Sequence, residues 1–197
     1  MSPLLEALSR ADNEITLAIN GWSSPFGDAF WTLISGKAVW IPLYVAIVIL
    51  LFAKVGWRRA LVALLAIGLT VLACDQGSDF VKDWADRLRP CHNQGLLDRG
   101  LRVLESKGSL FGFFSAHSAN AMGIAVSSIH FLRLATGKIL FHLYSIFICL
   151  WSILVSVSRI FVGKHFFGDV LVGVIVGVLV GWCVWRLLRP LALRIDK

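Results

Sequence analysis

Apolar residues along this chain gather into long blocks, and polar residues concentrate at the joints between them. The first block is mixed, with Leu4, Leu5, Leu8, Ile15, Leu17 and Ile19 set among Glu6, Arg10, Asp12 and Glu14. That pattern predicts an amphipathic helix over residues 3–20, lying on a membrane surface rather than crossing it. Asn20-Gly21 with Ser23, Ser24 and Pro25 makes a break. Phe26 to Ile34 then forms a short second helix in the interface. Five apolar spans follow. The first runs from about Val39 to Ala53 and borrows residues from near Gly36 to reach the roughly 20 that a spanning helix needs. The second starts near Ala60 and is apolar to Cys74. The third runs from Ser115 to about Leu132, the fourth from Ile139 to Val157, and the fifth from Phe166 to Leu188, stopping before Pro190.

Polar residues inside these blocks have a spacing of their own. Asp75, Asp79, Lys82 and Asp86 follow at steps of four, three and four, and make one polar face as the second span leaves the hydrocarbon. Mutual pairing, such as Asp79 with Lys82, is one explanation of that face. Arg89-Pro90 is expected to end the helix, because proline disfavours helical geometry in the residue before it. Residues 91–113 form a long polar loop, with Leu96, Leu97, Leu101, Val103 and Leu104 expected on the lipid surface. Gly173, Gly177 and Gly181 continue from Asp169 at steps of four, a small-residue seam along which helices approach closely.

Composition fixes the class. The chain is 57% hydrophobic with a mean hydropathy of +0.77, too apolar for a soluble domain. The expected fold is all-α: a polytopic membrane bundle of about five helices with an N-terminal interfacial helix. It forms a single domain over 1–197, with an interfacial segment 1–35, a transmembrane core 36–189 and an extracytoplasmic loop 91–113. The formal charge of +7 sits on residues flanking apolar runs, so the partner it implies is the lipid bilayer and not nucleic acid. Glu6, Asp12 and Glu14 interrupt any signal-peptide core. The four cysteines have neither disulfide-framework nor zinc spacing.

Alternation of the spans then collects the polar residues. Lys82 and Arg89 at the exit of the second, His117 at the entry of the third, Arg159 at the exit of the fourth, and His165 and Asp169 at the entry of the fifth all reach one membrane face. Three cations, two histidines and a carboxylate there make an anion-binding constellation. The opposite face holds Lys54, Arg58, Arg59, Arg133, Lys138, Arg186, Arg189, Arg194 and Lys197 against one acid, Asp196. The positive-inside rule makes that face cytoplasmic, so the cluster faces outward from the cytoplasmic membrane.

Three elements carry this constellation: Lys82-x6-Arg89-Pro90, Phe114-Ser115-Ala116-His117, and Ser158-Arg159-x5-His165-x3-Asp169. Together they resemble the type 2 phosphatidic acid phosphatase superfamily of integral membrane lipid phosphatases. The first and third match its signature at every defining position. The second departs from the family's Pro-Ser-Gly-His, and Ala116 is expected to keep an ordinary φ. The resemblance implies a metal-independent enzyme, without cofactor, that cleaves a lipid phosphate through a phosphohistidine. In it His165 is the nucleophile, Asp169 orients its ring, and His117 protonates the leaving group and then activates water. Lys82, Arg89, Arg159, Ser115 and the Ala116 amide would bind phosphate, with arginine suited to bidentate contact. Among bacterial substrates of the family, undecaprenyl pyrophosphate is favoured by a small margin because an outward site suits carrier-lipid recycling. Lipid A phosphates come close behind, followed by phosphatidylglycerol phosphate and phosphatidic acid. A lipid phosphotransferase and a non-catalytic lipid-binding or transport protein are the rival outcomes.

Overall fold

The computed structural model describes residues 2–195, and the regular elements within them are helical. Asp196 and Lys197, counted above toward the cytoplasmic face, lie outside the described residues. The order is α1 (Pro3–Asn20), α2 (Pro25–Ser35), α3 (Ile41–Val55), α4 (Trp57–Ala85), α5 (Gln94–Asp98), α6 (Ala116–Leu132), α7 (Lys138–Phe161) and α8 (Phe167–Arg194). Among the described residues, four segments are long and apolar enough to cross a membrane: Ala38–Val55, which includes α3, and α4, α7 and α8. The fifth member of the bundle is α6, with 17 residues. It occupies the centre and packs on α3, α4, α7 and α8.

The sequence of α6 suits that place. Ser118, Ala119, Ala121, Gly123 and Ala125 are buried along it, and small side chains let neighbouring backbones close in. The predicted glycine seam of α8 lies directly against it. A Cβ built on Gly173 would sit 2.5 Å from the Ser115 carbonyl, and one on Gly181 would sit 3.0 Å from the Gly123 carbonyl.

Two helix ends differ from expectation. Helix α4 stops at Asp86, whose φ of 46° is left-handed, so it ends before Arg89-Pro90 is reached. Aspartate is among the few residues that tolerate this conformation, and Pro90 opens a separate 3-10 turn. Helix α8 runs through Pro190 to Arg194. So near a C-terminus proline removes only one backbone bond, and the Arg59 Nε–H donates to the Ala192 carbonyl at 3.2 Å to hold the last turn.

The largest departure concerns α1 and the loop. Leu4, Leu5, Leu8 and Ile15 are exposed as expected of an interfacial helix, but Thr16 and Asn20 are completely buried. Helix α1 is therefore docked on the bundle by its polar face. The loop leucines expected on lipid also go inward: Leu96 and Leu101 pack with Phe166, beside Leu17, Leu97 and Val103.

Replacing Gly177 by valine tests the seam, since even its Cβ would lie 3.0 Å from the Gly123 nitrogen and the Met122 Cβ. We expect Gly177→Val to cost about 1–3 kcal/mol by overpacking, seen as a lower unfolding temperature in detergent. An unchanged temperature would show that α6 and α8 are not in close contact.

Candidate active site

The connection between α7 and α8 is a tight turn built on one carbonyl. The Lys164 and His165 amides both donate to the Arg159 carbonyl, at 3.0 and 3.2 Å. Gly163, just before them, has a φ of 77°, a left-handed conformation that glycine adopts without steric cost. The position of His165 is thereby tied to the last turn of the helix that carries Arg159.

Asp169 lies in the first turn of α8 and is 0% exposed. Its Oδ2 accepts from the Phe166 amide at 3.1 Å and stands 3.4 Å from His165 Nδ1. That is longer than a formed hydrogen bond, and Nδ1 has no other partner. Its Oδ1 accepts from Arg87 Nη1 at 2.5 Å. The other Arg87 nitrogen, Nη2, donates to Asp12 of α1, also at 2.5 Å, and the guanidinium lies 4.2 Å over the Phe166 ring.

Helix α1 completes this arm with three polar residues on successive turns. Helix termini leave amides and carbonyls without partners inside the helix, and α1 supplies them for both α7 and α8. Asp12 Oδ1 accepts from the Gly168 amide at 2.8 Å, and Thr16 Oγ1 accepts from the Phe167 amide at 3.0 Å. Asn20 Nδ2 donates to the Phe161 carbonyl at 2.9 Å and the Ile160 carbonyl at 3.2 Å, while its Oδ1 accepts from the Arg102 amide at 2.7 Å.

The start of α6 abuts the same carboxylate-bearing turn. Ser115 caps α6 and donates its amide to the Asp169 carbonyl at 3.0 Å. Its hydroxyl is fully buried, 3.1 Å from Ser118 Oγ. Ala116 begins the helix without a positive φ, as expected for alanine in place of glycine. Phe114 is buried with Cys74 and Ala119.

Lys82, Arg89, Ala116, His117, Arg159 and His165 line one cavity of about 730 Å³. Ser115 and Asp169 stand behind its wall. Apolar residues continue the cavity between the helices, with Tyr44 and Ile47 from α3, Ile67 and Val71 from α4, and Ile124 from α6. Each cation is already held. Lys82 Nζ pairs with Asp79 at 3.0 Å, the mutual pairing that the sequence left open. Arg89 donates to the Phe111 carbonyl at 3.0 Å and Ser109 Oγ at 2.8 Å. Arg159, 4% exposed, donates to Ser35 Oγ and lies 3.4 Å from Glu105 Oε2. Lys164 donates to the Ser106 carbonyl and to that of Lys107 at 2.8 Å. Burial pushes the His165 imidazole down to about 4, against which Asp169 pulls upward, so the ring is neutral near pH 7. Among the described residues no three metal-ligating side chains converge.

A family model for the PAP2 superfamily matches residues 59–191, more than half of the chain. The chain belongs to that superfamily. It is 34% identical to a lipid A 4'-phosphatase of Bacteroides thetaiotaomicron over 98% of its length and 84% of the relative's. It is also 34% identical to a lipid A 4'-phosphatase of Porphyromonas gingivalis, over 92% of this chain and 75% of the other. Among solved structures, a transmembrane PAP2-type phosphatidylglycerolphosphate phosphatase of Bacillus subtilis superposes with a TM-score of 0.72 at 26% identity, covering 92% of this chain and 86% of that one. LpxE of Aquifex aeolicus gives 0.61 at 25% identity, covering 88% and 93%. The protein is a PAP2-family membrane lipid phosphatase, a phosphoric ester hydrolase.

Several residues at this site escape a reading of the sequence. Arg87 lies within Lys82-x6-Arg89, but nothing in that spacing marks it out. Asp12, Thr16 and Asn20 do recur at steps of four, a stripe that on an amphipathic helix reads as facing water. Ser35 and Glu105 carry no motif. Asn20→Ala would leave the Arg102 amide and the Phe161 carbonyl of α7 unmatched in a buried setting, and is expected to cost about 1–3 kcal/mol. Thermal unfolding measures this, and a loss below about 0.5 kcal/mol would contradict the capping role.

Proposed function

We propose that the protein hydrolyses a phosphate monoester on the glycolipid headgroup of lipid A or a close analogue, at the outer face of the cytoplasmic membrane. The observation that carries the substrate is 34% identity to a lipid A 4'-phosphatase along nearly the whole chain. The order of the two leading substrates expected from sequence is thereby reversed, and undecaprenyl pyrophosphate becomes the second reading. The cavity supports a lipid of either kind, with cations and both histidines at one end and apolar walls at the other.

In the reaction, His165 Nε2 attacks phosphorus and the bond to the sugar oxygen breaks, while His117 gives that oxygen a proton. Asp169 faces Nδ1 and stabilises the positive ring of the phosphohistidine. Water then attacks phosphorus, passing its proton to His117; the P–N bond breaks, inorganic phosphate leaves and His165 is restored. Arg89, Arg159 and Lys82 balance the charge on the equatorial oxygens. Arg159 reaches the phosphate by exchanging Glu105 for it, and Lys82 does the same with Asp79. Ser115 serves as the cap of α6, and Ala116 offers its amide at the positive end of that helix.

Purified protein assayed for released phosphate on a panel of lipid phosphates tests the proposal. Lipid A should be the preferred substrate, and His165→Ala should lower turnover by at least about 1,000-fold while folding persists. Preference for undecaprenyl pyrophosphate would favour the second reading, and near-normal turnover in the variant would sink the mechanism. For the nucleophile, the acid limb of kcat/KM should lie near pH 4 and not near 6.5, since a neutral ring is required and burial keeps it neutral down to about 4. Glu105→Gln, which leaves Arg159 without its anionic neighbour, should tighten product inhibition by inorganic phosphate several-fold, about one order at most. For orientation, an alkaline phosphatase reporter inserted near residue 99 should be active and one near residue 56 silent.

A further inference from the structure

We infer that Arg87 and Asp12 are positioning residues for phosphoryl transfer, acting on the nucleophile through Asp169 without touching the lipid. This rests on the reading of His165 as nucleophile. Neither residue lines the substrate cavity, whereas Arg89, two positions on, does. Both Arg87 Nη groups are engaged, one by Asp169 of α8 and one by Asp12 of α1.

The geometry shows what this arrangement controls. The two oxygens of Asp169 have separate duties: Oδ1 takes Arg87, while Oδ2 faces the Phe166 amide and His165 Nδ1. A carboxylate with no exposure cannot turn to water for a replacement partner. Holding Oδ1 therefore fixes the rotation that keeps Oδ2 opposite the imidazole. Arg87 is in turn held on several sides. The Phe166 ring lies under it, and its carbonyl accepts from the Gly112 amide at 2.9 Å. Asp12 closes the arrangement from α1, with Oδ2 on Arg87 and Oδ1 on the Gly168 amide. A carboxylate, a guanidinium and a second carboxylate thus run in line from α1 to the His165 turn. Asp12 lies outside residues 59–191, the part of the chain that the superfamily model matches.

The test uses full-length protein in detergent and the lipid phosphate that the wild type hydrolyses. Arg87→Gln should lower kcat about 100-fold, the scale of a displacement of about 1 Å, with KM within about twofold. Arg87→Lys restores one charged contact and should recover about tenfold of that loss. Asp12→Asn keeps an acceptor for the Gly168 amide but loses the ion pair. It should lower kcat about tenfold at unchanged KM and unfolding temperature. Should Arg87→Gln not fold, Asp12→Asn decides alone. Raised KM at normal kcat would make these residues lipid contacts, and wild-type kcat would make them structural; either overturns the inference. If His165→Ala itself keeps turnover, it is the nucleophile reading that has failed.

Discussion

A carboxylate shut away from water needs partners on both oxygens, and Asp169 imposes that requirement on the whole of its end of the bundle. Truncating one partner of a buried charge costs about 3–5 kcal/mol, because the charge left behind stays desolvated. Arg87, the Phe166 amide and His165 surround this carboxylate. Each brings its own constraint: Arg87 draws in Asp12 and hence α1, Phe166 anchors the loop leucines, and His165 fixes the turn after α7. The order of the site thus follows from a single solvation problem, solved with residues from the N-terminal helix, the segment just after α4 and the start of α8.

Most of the bundle was legible because its signals are local. Apolar runs located every spanning helix, and steps of four located the glycine seam. Alternation of spans was enough to bring Lys82, Arg89, His117, Arg159 and His165 to a common cavity. What escaped depends on contacts distant along the chain. Asp12 meets Gly168 across 156 positions and Arg159 meets Ser35 across 124. No local period records such pairings. The amphipathic pattern of α1 was itself read correctly, but its polar face met protein where water was expected. Hydropathy cannot distinguish these, since both satisfy polar groups.

The loop over the site illustrates a second limit. Its length pointed to function, yet its leucines looked like lipid contacts. In the fold they cover Phe166, and the polar residues that follow them provide the Glu105 carboxylate and the Ser106 and Lys107 carbonyls near Arg159 and Lys164. Oxygen atoms from the loop thus stand beside the cations. An empty cluster of positive charge at low dielectric would repel itself, and this oxygen lining moderates it.

The shortness of α6 has a consequence for how such chains are sorted by topology. Enclosed by four neighbours, it has no need of the lipid-facing leucines that mark α3, α4, α7 and α8. A tally of strongly apolar segments stops at four, which would put both chain termini on one side. It would also send Arg159 and His165 to the membrane face opposite Lys82 and Arg89. Parity, more than any side chain, decides whether the two halves of this cavity can meet, and it turns on the 17-residue helix that its neighbours enclose.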